Sequence, residues 1–326
     1  MKVAQIENNN LVIKQKENEA LDGRKGALLK VLGCGLCGSD IVKLTQHISK
    51  DGTVLGHEIV GQIVDINSDT SFKNGDVIIT SHHIPCGKCE YCKNGNVSMC
   101  RHFKETNIKP GGFSEIVFVS EEHLQNVAYI KPENLSYDEA VFYEPLGCCI
   151  RAVKRANLNK NSTALVIGLG SVGILMAQAL RAFGMKVIGC DLLNSRVELL
   201  KNLGIEAFNV SEMCESINAD GVFMTSGSDK ALPTALKYVR DGGKILVFSS
   251  TPQNTGYANN EIYYRELTVL GSYSPSPADL KDSYELLKNK EVKVKGLSTY
   301  YPLEQVQKAI NDTLENKIIK AYIQIG

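Results

Sequence analysis

Four cysteines lie close together in the segment P-C-G-K-C-E-Y-C-K-N-G-N-V-S-M-C, as Cys86, Cys89, Cys92 and Cys100. Thiolates at this spacing, in a loop rich in Gly, Lys and Asn, can close a tetrahedral shell around one Zn²⁺. An iron–sulfur cluster is the alternative, because Cys-x2-Cys steps also suit that kind of ligation. A shell of four sulfurs leaves no open position for a substrate. We therefore expect a structural zinc in this loop and a reaction that takes place elsewhere.

Disulfides are another use of clustered cysteines, but they need an oxidising compartment. The first ten residues contain no apolar stretch of signal-peptide length, and no run in the sequence is apolar enough to span a bilayer. We therefore expect a cytoplasmic protein with no membrane partner. The 36 basic and 36 acidic residues balance, which argues against nucleic acid as a partner. Four further cysteines are expected to pack as small apolar residues, namely Cys148, Cys149, Cys190 and Cys214.

A second motif could bind a dinucleotide. The sequence G-L-G-S-V-G at 168–173 lies between a predicted strand, Ala164–Ile167, and a predicted helix, Val172–Phe183. In this setting the first glycine allows a tight turn, the second lets the backbone approach a pyrophosphate, and the third lets helix pack on strand. The amides that open the helix would face the phosphates. The predicted cofactor-binding residues of this turn are Gly168, Gly170, Ser171, Val172 and Gly173.

Asp191 ends the next predicted strand, Val187–Cys190, 18 residues after Gly173. A carboxylate at this place accepts hydrogen bonds from a ribose 2′-hydroxyl and repels a 2′-phosphate. The sequence therefore predicts NAD rather than NADP, although the nearby Arg196 could accommodate a phosphate.

Further predicted strands alternate with a helix in the same half of the chain, which indicates an open parallel sheet covered on both faces. The strands are Ala219–Met224, Lys244–Ser249 and Leu267–Gly271, and the helix is Lys230–Arg240, ended by 241–243. Ligands bind at the carboxyl ends of such strands. We therefore expect 225–227 and 249–251 near the nicotinamide.

Three short fragments carry metal-ligating side chains, namely C-G-S-D at 37–40, G-H-E at 56–58 and E-P-L-G at 144–147. Each is weak alone. In this order, with the four-cysteine loop before E-P and the glycine motif after it, they resemble the zinc-dependent medium-chain dehydrogenase/reductase family. Within that family, E-P-L-G and the G-S-D form are similar to the polyol (sorbitol-type) and threonine dehydrogenase branch.

This resemblance implies an α/β fold with two domains. A GroES-like, β-rich catalytic domain that binds zinc would comprise residues 1–146 and 275–326, and so would be discontinuous. A Rossmann domain with a doubly wound parallel sheet would bind NAD within residues 147–274.

The resemblance also implies roles for single residues. Cys37 and His57 would bind the catalytic zinc, and Glu58 would be a ligand or an exchanging partner. Glu144 would be the fourth ligand or would bond to the zinc-bound water, and Ser39 would pass a proton outward. Val42 stands where many of these alcohol dehydrogenases have a relay histidine.

The roles of two nearby residues, Cys34 and His83, remain to be considered. Cys34 could be mistaken for the cysteine ligand, but the resemblance places that ligand directly before Gly-Ser-Asp. His83 would line the active site as in threonine dehydrogenases. The other histidines would simply be exposed, namely His47, His82, His102 and His123.

The implied enzyme contains two zinc ions per chain, one catalytic and one structural, and uses NAD to oxidise a secondary alcohol to a ketone. Its small-molecule substrate would be a polyol or sugar alcohol, and it would be a homodimer or homotetramer. A threonine or amino-alcohol dehydrogenase is the nearest alternative. A catalytically inactive cofactor-binding protein on the same fold, or a zinc-ribbon protein that binds nucleic acid, would be a different class.

Overall fold

A computed structural model describes residues 1–250 and 258–326. The chain divides into two compact units. The first unit contains Met1–Glu144, Ser276–Lys288 and Val294–Gly326, and the second contains Pro145–Pro275 and Asn289–Lys293. In the described part of the chain, no helix is long and apolar enough to cross a membrane.

Strands are spread along the whole chain. In the described residues they are β1 (Lys2–Glu7), β2 (Asn10–Gln15), β3 (Gly26–Gly35), β4 (Glu58–Asn67), β5 (Val77–Thr80), β6 (Ile116–Ser120), β7 (Ala128–Ile130), β8 (Thr163–Ile167), β9 (Lys186–Asp191), β10 (Glu206–Asn209), β11 (Ala219–Met224), β12 (Val239–Val247), β13 (Thr268–Gly271), β14 (Ser298–Pro302) and β15 (Lys320–Gln324).

Helices lie between them. They are α1 (Gly38–Thr45), α2 (Glu90–Lys93), α3 (Arg101–Glu105), α4 (Glu121–Asn126), α5 (Tyr137–Ala140), α6 (Tyr143–Ala156), α7 (Ser171–Ala182), α8 (Asn194–Asn202), α9 (Ala231–Tyr238), α10 (Asn259–Tyr264), α11 (Pro277–Lys288) and α12 (Val306–Leu314). Short 3₁₀ turns occupy Val97–Met99, Val210–Glu212 and Leu303–Gln305.

The first unit is built on a seven-stranded sheet in the order β14-β15-β3-β4-β5-β7, with β6 also paired to β3. Most of its pairs are antiparallel, but β14 and β15 run parallel. Its core contains Leu29, Val31, Ile63, Ile78 and Val117, all at most 1 % exposed. The long strand β3 has three neighbours, and its carboxyl end leads directly into Cys37.

The second unit is built on a six-stranded sheet in the order β10-β9-β8-β11-β12-β13. Every neighbouring pair in it is parallel. The strand β8 reads T-A-L-V-I and is buried over its last four residues, as expected for a strand covered on both faces. Reading outwards from β8, this is the strand order of a doubly wound dinucleotide-binding fold. The predicted α/β class is therefore confirmed.

Two local predictions in the second unit are wrong. The helix expected to reach Arg240 ends at Tyr238, and the Asp-Gly-Gly at 241–243 does not terminate it but lies inside β12. The pairing of β12 with β11 jumps from Val239 to Lys244, so the intervening residues leave the ladder. Glycines make such an excursion possible because Gly242 has a φ of 67°. The expected strand end also differs, since β12 ends at Val247 and not at Ser249.

Candidate functional site

The four-cysteine loop, residues 86–100, gathers its sulfurs at one point. One Sγ from each of its cysteines lies within 4.8 Å of all the others. The Sγ of Cys92 is 4.0 Å from that of Cys86 and 3.6 Å from that of Cys89. Four thiolates bound to one Zn²⁺ at about 2.3 Å would stand about 3.8 Å apart in a tetrahedron. The spacing therefore fits zinc.

In the same loop the Cys100 thiol is prepared for a metal, whereas burial raises the pKa of the Cys92 thiol to about 12. The Cys86 amide donates to the Cys100 Sγ at 3.4 Å. Burial by itself raises the pKa of Cys100, but amide hydrogen bonds from Cys86 and Phe103 outweigh it and lower this pKa to about 6. A depressed thiol pKa favours the thiolate, which is the form that binds metal.

A second set of ligands lies in the same unit. One donor atom from each of Cys37, His57 and Glu58 lies within 4.8 Å of the other two. Cys37 is the N-cap of α1, and its Sγ accepts from the Ser39 amide at 3.5 Å. Ser39 itself is exposed in the first turn of α1. Cys34 belongs to none of the metal-ligand groups of the described residues, and its Sγ donates to the carbonyl of Gly35.

Asp40, which the sequence analysis passed over, connects the two segments that carry this set. Its carboxylate accepts from the amides of Cys37 at 3.2 Å and Gly56 at 3.4 Å, and it lies 3.4 Å from His57 Nδ1. A carboxylate on the far nitrogen of a ligating histidine fixes the ring and leaves Nε2 for a metal. The sequence motif that could have identified this residue was present, since Asp40 is the last residue of C-G-S-D.

The charges of this group act on one another. Burial would lower the pKa of His57, but the Asp40 carboxylate and Cys37 raise it well above its usual value. Burial would also raise the pKa of Asp40, yet its attraction to His57 lowers it. A divalent metal on Nε2 of His57 would compensate the Cys37 thiolate, while the proton on Nδ1 would stay with the Asp40 carboxylate.

Glu144 opens α6 and is only 4 % exposed. A carboxylate oxygen of Glu144 and one ring nitrogen each of His57 and His82 lie within 4.8 Å of one another. This group therefore shares His57 with the group of Cys37, His57 and Glu58. The expectation that His82 and His123 are exposed is wrong, because they are 9 % and 2 % exposed. His83 is half-buried, and its Nδ1 bonds to the carbonyl of Thr106.

Lys320 is a second residue that the sequence analysis missed. It begins β15, is 3 % exposed, and forms an ion pair with Glu58, which is 1 % exposed. Its Nζ also donates to the carbonyl of Leu36 at 3.0 Å. Gly35 makes room for the pair, because a Cβ at that position would lie 2.0 Å from Glu58 Oε2. The second carboxylate oxygen, Oε1, is buried without a hydrogen-bond partner in the described residues, which leaves it available to a metal.

The glycine motif of the second unit has the shape that a phosphate-binding turn needs. Gly168 follows β8 with a φ of 94°. A Cβ on Gly173 would lie 1.8 Å from the carbonyl oxygen of Gly168, so helix and turn touch there. Gly170 caps α7 and has open space where a Cβ would stand. Ser171 and Val172, which begin α7, are half-buried.

Asp191 ends β9, the strand next to this turn. Its Oδ2 accepts from the Leu169 amide at 2.6 Å, and its Oδ1 accepts from the Leu193 amide at 2.9 Å. Arg196 Nη1 lies 3.6 Å from Asp191 Oδ2. The carboxylate is thus tied to the glycine turn and compensated by a cation.

The structure describes only some of the residues that were expected near the nicotinamide. Thr225 follows β11, and its Oγ1 donates to the carbonyl of Gly168 at 2.6 Å, so it supports the turn. Of the expected 249–251, Thr251 lies outside the described residues.

Of the cysteines expected to pack in the interior, Cys149 and Cys190 are buried, whereas Cys214 is exposed, so that expectation is wrong for Cys214.

Two family models match the chain. The alcohol dehydrogenase GroES-like domain matches residues 23–129, and the zinc-binding dehydrogenase family matches residues 171–289. A sorbitol dehydrogenase of Halalkalibacterium halodurans is 32% identical, over 95% of this chain and 94% of its own. A D-xylulose reductase A of Aspergillus oryzae is 31% identical, over 91% of this chain and 88% of its own.

A solved structure is similar over its whole length. An alcohol dehydrogenase from Thermus sp. ATN1 superposes with a TM-score of 0.88 at 23% identity, covering 100% of both chains. This likeness supports the fold, while the two family models and the relatives above 30% identity establish the membership. The chain belongs to the zinc-dependent alcohol dehydrogenase family and is an NAD-dependent oxidoreductase with a GroES-like and a Rossmann domain.

Proposed function

We propose that the enzyme oxidises a secondary hydroxyl of a polyol or sugar alcohol to a ketone and transfers the hydride to NAD. One observation carries the proposal: Cys37, His57 and Glu58 bring a sulfur, a nitrogen and an oxygen within 4.8 Å of one another. Three protein ligands with an exchangeable fourth position are the pattern of a catalytic zinc site. The sorbitol dehydrogenase and the D-xylulose reductase among the relatives support a polyol as the substrate class.

The chain's own residues prepare the site. When bound, zinc supplies a Lewis acid that lowers the pKa of the substrate hydroxyl. Asp40 orients His57, and Lys320 holds Glu58, so the ligand set is organised before the metal arrives. Glu144 would serve as a fourth ligand or would bond to the oxygen at the open position. The hydroxyl proton leaves through Ser39, which is exposed beside Cys37.

The cofactor preference is part of the same proposal. Asp191 ends β9 and would accept hydrogen bonds from the ribose hydroxyls of NAD, while its charge would repel the 2′-phosphate of NADP. Gly168, Gly170 and the opening amides of α7 would bind the pyrophosphate. Arg196 already lies near Asp191, so it compensates the carboxylate rather than awaiting a phosphate.

We also propose a homodimer or homotetramer in the cytoplasm. The edge strand β13 has no further neighbour in the described sheet, and its Val269 is 42 % exposed. Two aromatic residues of the preceding α10, Tyr263 and Tyr264, are more than 70 % exposed. Unpaired edges and exposed apolar surface of this kind favour association. A Val269→Lys variant that keeps the wild-type mass in sedimentation would count against this interface.

The cytoplasmic location rests on the thiolates that the four-cysteine loop needs.

The test is a substrate screen combined with one ligand variant. The wild-type enzyme should reduce NAD with sorbitol or xylitol and much more slowly with threonine. Cys37→Ala should lose turnover and one of two zinc ions while its affinity for NADH stays unchanged. Cys34→Ala is the matched control, and it should keep both zinc ions. Full zinc content and normal turnover in Cys37→Ala would refute the ligand assignment, and a preference for threonine would refute the substrate class.

A further inference from the structure

His82 has no role in the proposed reaction, yet its side chain lies in the metal centre. It follows β5, and a ring nitrogen lies within 4.8 Å of donor atoms of both His57 and Glu144. Its ring centroid is 4.4 Å from that of His57. The Nδ1 of His82 is buried and has no hydrogen-bond partner among the described residues. An unpaired buried nitrogen is costly to a fold, so it points to a ligand that completes it.

The main chain around His82 is held in place from both sides. The His82 carbonyl accepts from His123 Nε2 at 3.0 Å, and His123 Nδ1 bonds to Ser120 Oγ at 2.7 Å. The following residue, His83, is tied through its Nδ1 to the carbonyl of Thr106. The main-chain position of His82 is therefore held by both neighbours. The His82 ring packs between the rings of His57 and His83, at centroid distances of 4.4 and 3.9 Å, which limits its movement as recognition of a substrate requires.

The chemistry of the substrate class supplies the missing partner. The proposed site holds the reacting hydroxyl at the metal, beside Glu144. A polyol carries a further hydroxyl on the adjacent carbon, whereas a simple secondary alcohol has hydrogen there. A neutral imidazole nitrogen can accept from a hydroxyl or donate to it. The imidazole of His82, which lies beside the position of the reacting hydroxyl, is therefore placed to bind the hydroxyl on the adjacent carbon.

We propose that His82 Nδ1 binds the substrate hydroxyl next to the one that is oxidised, and so selects vicinal diols over monoalcohols. This inference rests on the proposed function and adds a specificity residue to it. A site built to hydrogen-bond a hydroxyl discriminates against the analogue that lacks it, because the buried polar atom then stays unpaired.

The test compares butane-2,3-diol with butan-2-ol, which differ by one hydroxyl. His82→Phe keeps a ring and removes both nitrogens, while His82→Asn restores a polar atom near the position of Nδ1. We expect His82→Phe to lower kcat/KM for the diol by about 10- to 100-fold and for the monoalcohol by less than about threefold. His82→Asn should recover part of the loss. His102→Gln is the control, since His102 is partly exposed and paired with Glu122.

A binding measurement separates recognition from turnover. The affinity of butane-2,3-diol for the NADH-bound enzyme, followed by NADH fluorescence, should fall in His82→Phe while both zinc ions remain. Equal losses on the two alcohols, or loss of one zinc, would overturn the inference and make His82 structural or a ligand. A wild-type enzyme that oxidises no diol or polyol would instead overturn the proposed function, and this inference with it.

Discussion

Replacing Lys320 by methionine would remove the cation that faces Glu58 and keep most of the volume of the side chain. Both residues are at most 3 % exposed, so water cannot take over the lost interaction. Breaking a buried ion pair by removing one partner costs about 3–5 kcal/mol, because the other charge stays buried and uncompensated. For a domain of this size that corresponds to a fall in Tm of roughly 6–20 °C in the metal-free protein.

The same substitution should cost less once zinc is bound. Glu58 belongs to the ligand group with Cys37 and His57, so a divalent cation held there would compensate its charge in place of Lys320. We therefore expect the loss of stability in Lys320→Met to be larger without metal than with it. Because the uncompensated carboxylate gains more from a bound cation than the paired one does, the affinity for Zn²⁺ should rise in chelator competition.

Thermal unfolding of zinc-loaded and chelator-treated protein would measure both effects. The double variant Lys320→Met/Glu58→Gln should recover most of the stability, since neither partner is then charged. Lys25→Met is a matched control, because Lys25 pairs with Asp69 at the surface and their side chains are 50% and 81% exposed. Such a pair contributes about 1 kcal/mol or less. An equal loss with and without zinc, or no recovery in the double variant, would refute the reasoning.

Three further expectations concern the other sites. Cys92→Ser should lose one of two zinc ions by metal analysis and make the four-cysteine loop sensitive to protease, and unchanged zinc content would contradict the assignment. Gly173→Ala should weaken NADH binding at least tenfold, because its Cβ would lie 1.8 Å from a carbonyl oxygen, whereas Gly271→Ala meets nothing within 4 Å and should bind normally. Asp191→Ala should lower the ratio of kcat/KM for NAD to that for NADP by about tenfold or more, and an unchanged ratio would show that this carboxylate does not select the cofactor.

The parts of the protein that could be predicted from sequence are those whose residues are neighbours in the chain. The glycine motif and the four-cysteine loop each fit within twenty residues, so their spacing alone predicts a dinucleotide site and a metal site. The parallel sheet of the second unit follows from the alternation of strands and helices around the glycine motif. The roles of single residues at the metal centre and the cofactor turn remain predictions, for which the variants above are designed.

Contacts that depend on the pairing of strands distant in the chain could not be predicted from the sequence. Lys320 reaches Glu58 only because β15 pairs with β3 and β3 pairs with β4, and a lysine at the start of a strand is usually a surface residue. The prediction that a helix reaches Arg240 is wrong for a related reason. Asp-Gly-Gly is typical of a helix end, but here the glycines accommodate an excursion within β12.

The two predicted zinc sites are connected more closely than their separate roles imply. The rings of His57, His82, His83 and Phe103 contact one another in series, with centroids 4.4, 3.9 and 4.7 Å apart. His83 stands three residues before the first cysteine of the four-cysteine loop, and Phe103 stands three residues after the last. A metal that closes this loop therefore fixes both ends of the segment that presents His82 to His57. The structural zinc would then take no part in the chemistry and still determine where the group proposed to recognise the substrate lies.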